Sequence, residues 1–600
     1  MDEPTLAIEP LSDEADAEIP ITRLSHLDES RPLAVRVEGV DLVVAKHHGM
    51  AYVLQGACPH RGTPLADGSI QDGVLTCAGH GWRFYCASGV KVDESAAVLR
   101  TFTVSMRGDQ VCVKRDDLHA WKQVLGRSVP RVAKRTAAEL PGPRGLPVLG
   151  SALHLVPSRL HRILEGWCQA FGPLYAFRIG REPVVVVGDA ELIDQVLRDR
   201  PQGFRRWSVV EATLGEMGVN GVFSAEGDSW RRQRPFAAHA LDLFHLERFY
   251  GLLIEVTRRL QRRWDLAARS REPVEIQKDL MRFTVDVTTN LVFGYDLNTV
   301  EADGDVIQRH LEKISPVLQR RITAPFPYWR HLKLPSDRAL DRSLRALRDM
   351  VADVVANARR RMDAHPAGSG ARSANFLEAL LSARDAGGAT FRDDEIFGNV
   401  FTMFVAGEDT TANTMAWMIY YLSNYPEVQR RMRDEAGSVL GKQEVPRDLG
   451  ELGKLSYAEA VIHETMRLKP AAPVLYIEAN QEQELGGVRL AKGTRLVLLT
   501  RYCALHERHF RAPDRFEPER WIDPRCPGAH DIQAFMPFGG GPRYCPGRNL
   551  AFIETKAVMA MLCRNFAVER VESAGPVTEH LAFTMMPANL FVRFHPLQQA

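Results

Sequence analysis

The 600-residue chain has no excess of charge of either sign: 76 Lys and Arg stand against 75 Asp and Glu, a net of +1. Nucleic-acid binding rests on phosphate neutralisation by a basic face, so no nucleic-acid partner is expected. No apolar run approaches the roughly 18 residues that a membrane-spanning helix needs, so no membrane is expected either. The first twenty residues, MDEPTLAIEPLSDEADAEIP, hold seven acids and no Lys or Arg. A secretory leader needs a basic start and an apolar core. Residues 1–19 therefore read as an acidic disordered tail. Nine Cys in 600 residues are no disulfide framework. Several stand in metal-like spacings instead, which points to a reducing, cytoplasmic location. There is no internal repeat, no low-complexity tract and no convincing G-x-G-x-x-G unit for a nicotinamide or flavin.

What is there falls into a short β-patterned region and a long helical one. In residues 20–115 short alternating runs break at Glu38-Gly39 and His48-Gly49, which are hairpin signals. The run AVLRTFTVSMRGDQVCVKR repeats this around Arg107-Gly108-Asp109. Residues 116–138 are polar, basic and weakly patterned, and read as a linker with one helical turn or two. PGPRGLPVLG, from Pro141, punctuates strongly. Across residues 139–600 helical periodicity then dominates, with strand-like runs near 480–500 and 581–595. The expected fold class is multidomain: a small all-β domain followed by a mainly α-helical domain with minor β-sheets.

CPHRGTPLADGSIQDGVLTCAGHGWRFY begins at Cys58 and sets Cys58-x-His60 sixteen residues ahead of Cys77-x-x-His80. Four such ligands could hold tetrahedral zinc. Zinc fingers, however, usually pair Cys with Cys and His with His. Mixed pairs suit a two-iron cluster in which each loop gives one thiolate to one iron and one imidazole to the other. The loops are rich in Gly and Pro, so backbone N–H groups can come close to the sulfurs. On these residues the segment resembles the Rieske [2Fe-2S] ferredoxin family, which implies Cys58, His60, Cys77 and His80 as cluster ligands. High-potential members of that family place Ser and Tyr hydroxyls after the second His; here Trp82 and Phe84 stand there. Fewer hydrogen bonds to the cluster imply a potential near the low end of the Rieske range, roughly −150 mV. Cys86 reads as an unpaired core thiol.

FMPFGGGPRYCPGRNLAFIE delivers Cys545 from a Gly-rich loop to the start of an apolar helix. A thiolate there is stabilised by the helix dipole and free N–H groups. The full pattern Phe538-x-x-Gly541-x-Arg543-x-Cys545-x-Gly547 resembles the cytochrome P450 family, whose haem iron is held by a Cys thiolate. That resemblance implies haem b with Cys545 as the iron ligand, Arg543 at a propionate, and Phe538, Gly541 and Gly547 shaping the ligand loop. Other motifs follow the family's order. HETMR and FEPERW imply a buried structural cluster of Glu464, Arg467 and Arg520. WRRQR implies Trp230 and Arg234 at a propionate. FVAGEDTTANTM implies Asp409 and Thr410 as the proton-delivery pair, with the Thr hydroxyl turned back on its helix and locally opening the hydrogen-bond ladder. Two departures stand out. Ile477 occupies the place where the family usually carries a propionate-binding Arg, and Pro546, with no N–H, follows the ligand Cys.

Together the resemblances imply a haem-thiolate monooxygenase that inserts one atom of O2 into a mainly apolar substrate. Its fused cluster would relay electrons from a separate FAD-dependent, NAD(P)H-consuming ferredoxin reductase. A tether turns the cluster–haem encounter into an intramolecular one. A peroxide-driven or isomerising haem-thiolate enzyme and a non-enzymatic redox or gas sensor are the alternatives. A Rieske dioxygenase with a mononuclear iron would need two His and a carboxylate, for which His506 and His509 are the nearest candidates. Substrate contacts are expected from the loop before Trp230, from Val405, Ala406 and APVLY, and from Phe583, Met585 and Met586.

Overall fold

Paired positive backbone angles mark where the N-terminal region turns. In the computed structural model Glu38 and Gly39 have φ of 47° and 85°, and His48 and Gly49 have 49° and 74°. Two successive positive values make the tight turn whose twist suits a hairpin. The structure describes residues 18–597 except 60–61, 80, 93–96, 126–134, 181, 295, 302–313, 315, 323, 325, 365–374, 384–389 and 523–530. The acidic tail, apart from its last two residues, thus lies outside the described residues, as do both candidate His ligands, His60 and His80.

The N-terminal strands are β1 (Glu18–Arg23), β2 (Leu33–Val37), β3 (Val40–His47), β4 (Met50–Gln55), β5 (Ser69–Gln71), β6 (Val74–Thr76), β7 (Arg83–Tyr85), β8 (Thr101–Phe102), β9 (Val104–Arg107) and β10 (Gln110–Lys114). They form three sheets, ordered β1-β10-β9, β2-β3-β4-β8 and β5-β6-β7. Strand side chains alternate in direction, and β3 is apolar on both faces. Leu42 and Val44 pack with Val53 and Val111, while Val43 and Ala45 pack with Leu54, Leu75 and the two cysteines Cys58 and Cys77. One strand thus joins the β core to the loops of the first candidate centre.

The chain divides into two compact units with the break near residue 132. The expected linker is shorter than 116–138. Helix α1 (Arg115–Leu125) continues straight from β10, and its Leu118 is buried with Val111 and Val113. Asp116 and Asp117 in its first turn suit the helix dipole, and Asp117 accepts the Thr103 N–H at 3.0 Å. That is about three turns of helix rather than one or two. At the other end Arg135–Thr136 already pairs in parallel with Val488–Arg489 of the second unit.

The second unit is mainly helical. Its axis is the 32-residue helix Asp393–Asn424, packed along Ile276–Phe293. Gly407 permits that approach: a Cβ there would lie 3.1 Å from Thr288 Oγ1. The helical periodicity expected across this region is carried by helices such as Pro335–Ala364 and Ser456–Leu468. The strand runs near 480–500 and 581–595 are present as well. What helical periodicity hid is a five-stranded sheet, ordered Leu174–Ile179, Glu182–Val187, Arg495–Leu498, Leu475–Ala479, Phe204–Arg206. Val184 to Val187 are all fully buried within it. A strand covered on both faces shows no alternation, so pattern alone does not reveal it. Among the described residues no helix is long and apolar enough to cross a membrane.

Candidate metal centres and active site

Cys58 and Cys77 sit in matching loops, the first after β4 and the second after β6. The Cys58 N–H donates to Thr63 O (2.8 Å), and the Gly62 N–H donates back to Cys58 O (2.8 Å). In the second loop the Cys77 N–H donates to Trp82 O (2.8 Å) and the Gly81 N–H to Cys77 O (2.9 Å). Both closing glycines have positive φ, 64° and 70°, which explains a Gly four residues after each Cys. The loops also touch, since a Cβ on Gly79 would come within 2.5 Å of Thr63 Oγ1. Neither cysteine is in a disulfide, and both are buried. Two thiols at equivalent points of one repeated loop fit a shared metal centre; apolar packing alone needs no such repetition. Trp82 carries Lys91 Nζ at 4.5 Å from its ring centre, and Phe84 is fully buried. Cys86 is a buried free thiol, pushed up to about 11 by loss of solvent.

The second centre is built on Cys545. The loop before it turns at Gly539 and Gly541, with φ of 73° and 64°, and Gly541–Arg543 forms a single 3-10 turn leading to the thiol. The Cys545 N–H donates to Phe538 O at 2.9 Å, and Phe538 packs its ring 5.8 Å from Phe552. Helix Arg548–Asn565 begins just after, with Gly547 as its cap. Cys545 is the one exposed thiol among the described cysteines. Yet protein atoms crowd it enough to raise its pKa, against the Gly547 N–H and the Arg234 charge, which both lower it. An accessible thiol enclosed by protein faces an internal space, and that fits a prosthetic group with the sulfur as its ligand. Since Pro546 has no N–H, the amide that serves the sulfur is the next one, Gly547.

Trp230 and Arg234 lie four apart on helix Gly227–Ala240, hence on one face, and both are buried. Asp409 and Thr410 lie mid-way along Asp393–Asn424. Thr410 Oγ1 donates to Ala406 O at 2.6 Å, the expected back-bond. The helix nevertheless runs unbroken from Asp393 to Asn424, so the ladder is not opened. What makes space is small side chains: Ala406 is exposed while Phe404 and Glu408 are buried. A cavity there is lined by Leu214, Val219, Phe223, Leu318, Phe401, Thr402, Val405, Ala406 and Phe583. Leu214, Val219 and Phe223 from the loop before Trp230, Val405 and Ala406 on the helix, and Phe583 were expected. Met585 and Met586 do not line it; they meet Arg501 and Gln277 instead, and APVLY does not line it either. Phe401 and Thr402 went unnoticed because one turn of a buried helix looks like the next.

Glu464 gathers five donors. Arg467 Nε and Nη2 reach it at 2.9 and 2.8 Å, Arg520 Nε at 3.1 Å, the Glu517 N–H at 2.9 Å and Trp521 Nε1 at 2.9 Å. Arg467 spends its other protons on the carbonyls of Ala504, Pro513 and Arg515. All three charged side chains are buried, and the charge is satisfied by hydrogen bonds as burial requires. Trp521, the last residue of FEPERW, completes the cluster and went unassigned in the sequence. A second missed feature is Glu554, nine residues after Cys545. Burial raises its carboxyl to about 8 despite a hydrogen bond with Thr411.

The cytochrome P450 family profile matches residues 140–594. The chain belongs to the cytochrome P450 family. The Rieske [2Fe-2S] domain profile matches residues 17–103, so the N-terminal unit of this P450 is a Rieske domain. Protein LUTEIN DEFICIENT 5, chloroplastic, of Arabidopsis thaliana is 28% identical over 419 residues, covering 68% of this chain and 69% of its own length. Cytochrome P450 4V2 of Mus musculus is 28% identical over 469 residues, covering 75% and 85%. Cytochrome P450 4e2 of Drosophila melanogaster is 25% identical over 451 residues, covering 72% and 84%. The protein is a haem-thiolate monooxygenase that carries a Rieske domain.

Proposed function

We propose that this P450 oxygenates a mainly apolar small molecule in the cytoplasm, using electrons that pass from a separate FAD-dependent NAD(P)H ferredoxin reductase through its own Rieske cluster. The observation that carries the substrate class is the cavity beside Ala406, whose lining is apolar except for Thr402. Even that hydroxyl is spent, donating to Gly398 O at 2.7 Å. Among the described residues no charged side chain lines it, so burial of apolar surface would supply a ligand's affinity.

Cys545 Sγ would hold haem b, with Trp230, Arg234 and Arg543 toward its carboxylates, and Cys58, His60, Cys77 and His80 would hold the cluster. Bound, the haem supplies dioxygen activation and the cluster supplies one electron at a time. The chain's own part is electrostatic and positional. The Gly547 N–H and the Arg234 charge favour the anionic sulfur against the burial that raises its pKa. The Thr410 proton rests on Ala406 O and is delivered only when the hydroxyl rotates off that carbonyl. Asp409, half-buried on the same turn, provides a titratable oxygen beside it. Phe223, Phe401 and Phe583 exclude water from the reacting bond.

Cys77→Ser in the full chain tests the electron route. With a ferredoxin reductase and NAD(P)H, the variant loses product formation from an apolar substrate, while dithionite and CO still give the thiolate-haem band. Turnover at the unsubstituted rate would refute the relay.

A further inference from the structure

His239, Asp242 and His245 follow one another at three-residue intervals across the junction of two helices, outside both candidate centres. His239 lies in the last turn of Gly227–Ala240, Asp242 caps Leu243–Ser270, and His245 lies in the first turn of that second helix. Only Leu241-Asp242 links the helices, and the Asp242 N–H donates to His239 O at 3.2 Å. Asp242 and His245, three apart on the entry turn, share a face. The tight link brings the first imidazole back onto the second. Their ring centres are 4.3 Å apart, with the planes at 87°. His239 Nδ1 lies 3.0 Å from Asp242 Oδ2, and His245 Nδ1 lies 2.8 Å from Asp242 Oδ1. Among the described residues this is the one group of three His, Cys, Asp or Glu side chains whose ligand atoms all lie within 4.8 Å of one another.

Helix capping alone does not call for this arrangement. Asp242 caps the second helix with Oδ1, which accepts the His245 N–H at 2.9 Å. Asp448 makes the same bond to the Glu451 N–H at 2.8 Å, in a segment, QEVPRDLGELGK, that holds no His. What the cap leaves unexplained is a pair of imidazoles that turn the same ring atom toward one carboxylate. Zinc binds His nitrogen and carboxylate oxygen at about 2.0–2.2 Å, which sets neighbouring tetrahedral donors about 3.3 Å apart. The observed 2.8 and 3.0 Å fall just inside that spacing, so a slight opening of the cluster admits an ion. Two nitrogens and a carboxylate suit zinc, copper or nickel, whereas calcium and magnesium take oxygen ligands. The three side chains are 36%, 29% and 24% exposed, so an ion and a water for its fourth position can reach them. The positive start of the second helix disfavours a cation, and the negative end of the first, beside it, offsets that.

We propose that His239, Asp242 and His245 form a site for one divalent transition-metal ion of the zinc class, which pins the end of the helix carrying Trp230 and Arg234 to the start of Leu243–Ser270. Leu246, Phe249 and Leu253 seat that second helix in the main core, so the ion ties the first helix to a fixed point. The test uses full-length protein loaded with haem and cluster, washed with chelator and dialysed against Zn2+ or Mg2+. The protein is expected to retain about one Zn2+ per chain and no Mg2+. Its thermal midpoint rises with Zn2+, as an ion that binds only the folded state requires. His239→Ala and His245→Ala each weaken zinc binding at least about tenfold, the least that disturbing even the partner of a metal ligand costs. Asp242→Asn keeps a side-chain acceptor for the helix cap and still weakens zinc binding, which separates ligation from folding. Cu2+ in place of Zn2+ shows electron-spin resonance coupling to two imidazole nitrogens, and to one in either His variant. The CO band and the Rieske signal report that each variant is folded. Zinc held no better than magnesium overturns the proposal. So does zinc binding that survives all three substitutions, because the ion would then sit elsewhere, such as in cysteine loops emptied of iron.

Discussion

Gly79→Ala is a sharp probe of the paired loops. The added Cβ would lie 2.5 Å from Thr63 Oγ1, 3.1 Å from its Cγ2 and 3.2 Å from its Cβ. Ordinary carbon contacts are about 3.5–4.0 Å. Thr63 is buried and β-branched, so few rotamers are open to it. Either the side chain leaves its well or the two loops part, and overpacking of this size costs about 1–3 kcal/mol. Parting the loops moves Cys58 away from Cys77, so the loss falls on cluster occupancy first. The expected result is a lower iron and acid-labile sulfide content per chain and a weaker Rieske signal, with the CO band of the haem unit unchanged. Thr63→Ala removes Oγ1 and Cγ2, costs about 1 kcal/mol alone, and in combination with Gly79→Ala restores most of the occupancy. The two changes then couple, as residues in contact do, by about 0.5–3 kcal/mol. Full cluster content in Gly79→Ala, or no restoration in the double variant, would refute the close-contact account.

Glu464→Ala strands two buried guanidinium groups and is expected to cost about 3–5 kcal/mol and the thiolate-haem band; a thermal melt and a CO difference spectrum check it. Glu554, held protonated by burial, has a folded pKa of about 8 against 4.5 for the free group. Its folded pKa is raised, so its contribution to stability is complete below about 4.5 and is lost as pH rises through about 8. Glu554→Gln should flatten unfolding free energy across that window and remove a protonated-carboxyl infrared band. Pro546→Ala adds an N–H beside the one Gly547 already offers, and spectroelectrochemistry should find the haem midpoint raised. With Trp82 and Phe84 in place of hydroxyls, the cluster midpoint is expected near −150 mV, roughly the low end of the Rieske range, and a strongly positive value would contradict the missing-hydroxyl account.

The β-hairpins were legible because the chain declares them locally. Glu38-Gly39 and His48-Gly49 each carry two positive φ values, and few residue types accept those. The helix Ser456–Leu468 was legible because its apolar residues recur at three- and four-residue spacing, as at Tyr457, Ala460 and Val461. The hairpin Leu174–Ile179 and Glu182–Val187 was not, because Val184–Val187 is buried on both faces and carries no period. Helix α1 was underrated for a tertiary reason. RDDLHAWKQVL opens on three charged residues, and what holds it is Leu118, with Trp121 packed beside it, in a core built by strands earlier in the chain.

The same division runs through the candidate sites. Cys58 and Cys77, Cys545, and Glu464 with Arg467 could be read from the chain because their chemistry needs particular atoms at fixed spacing within one segment. The cavity could be read only in part: the loop before Trp230, Val405, Ala406 and Phe583 were expected from the resemblance, whereas Leu318, Phe401 and Thr402 need only be near the others in space and carry no mark of it in sequence.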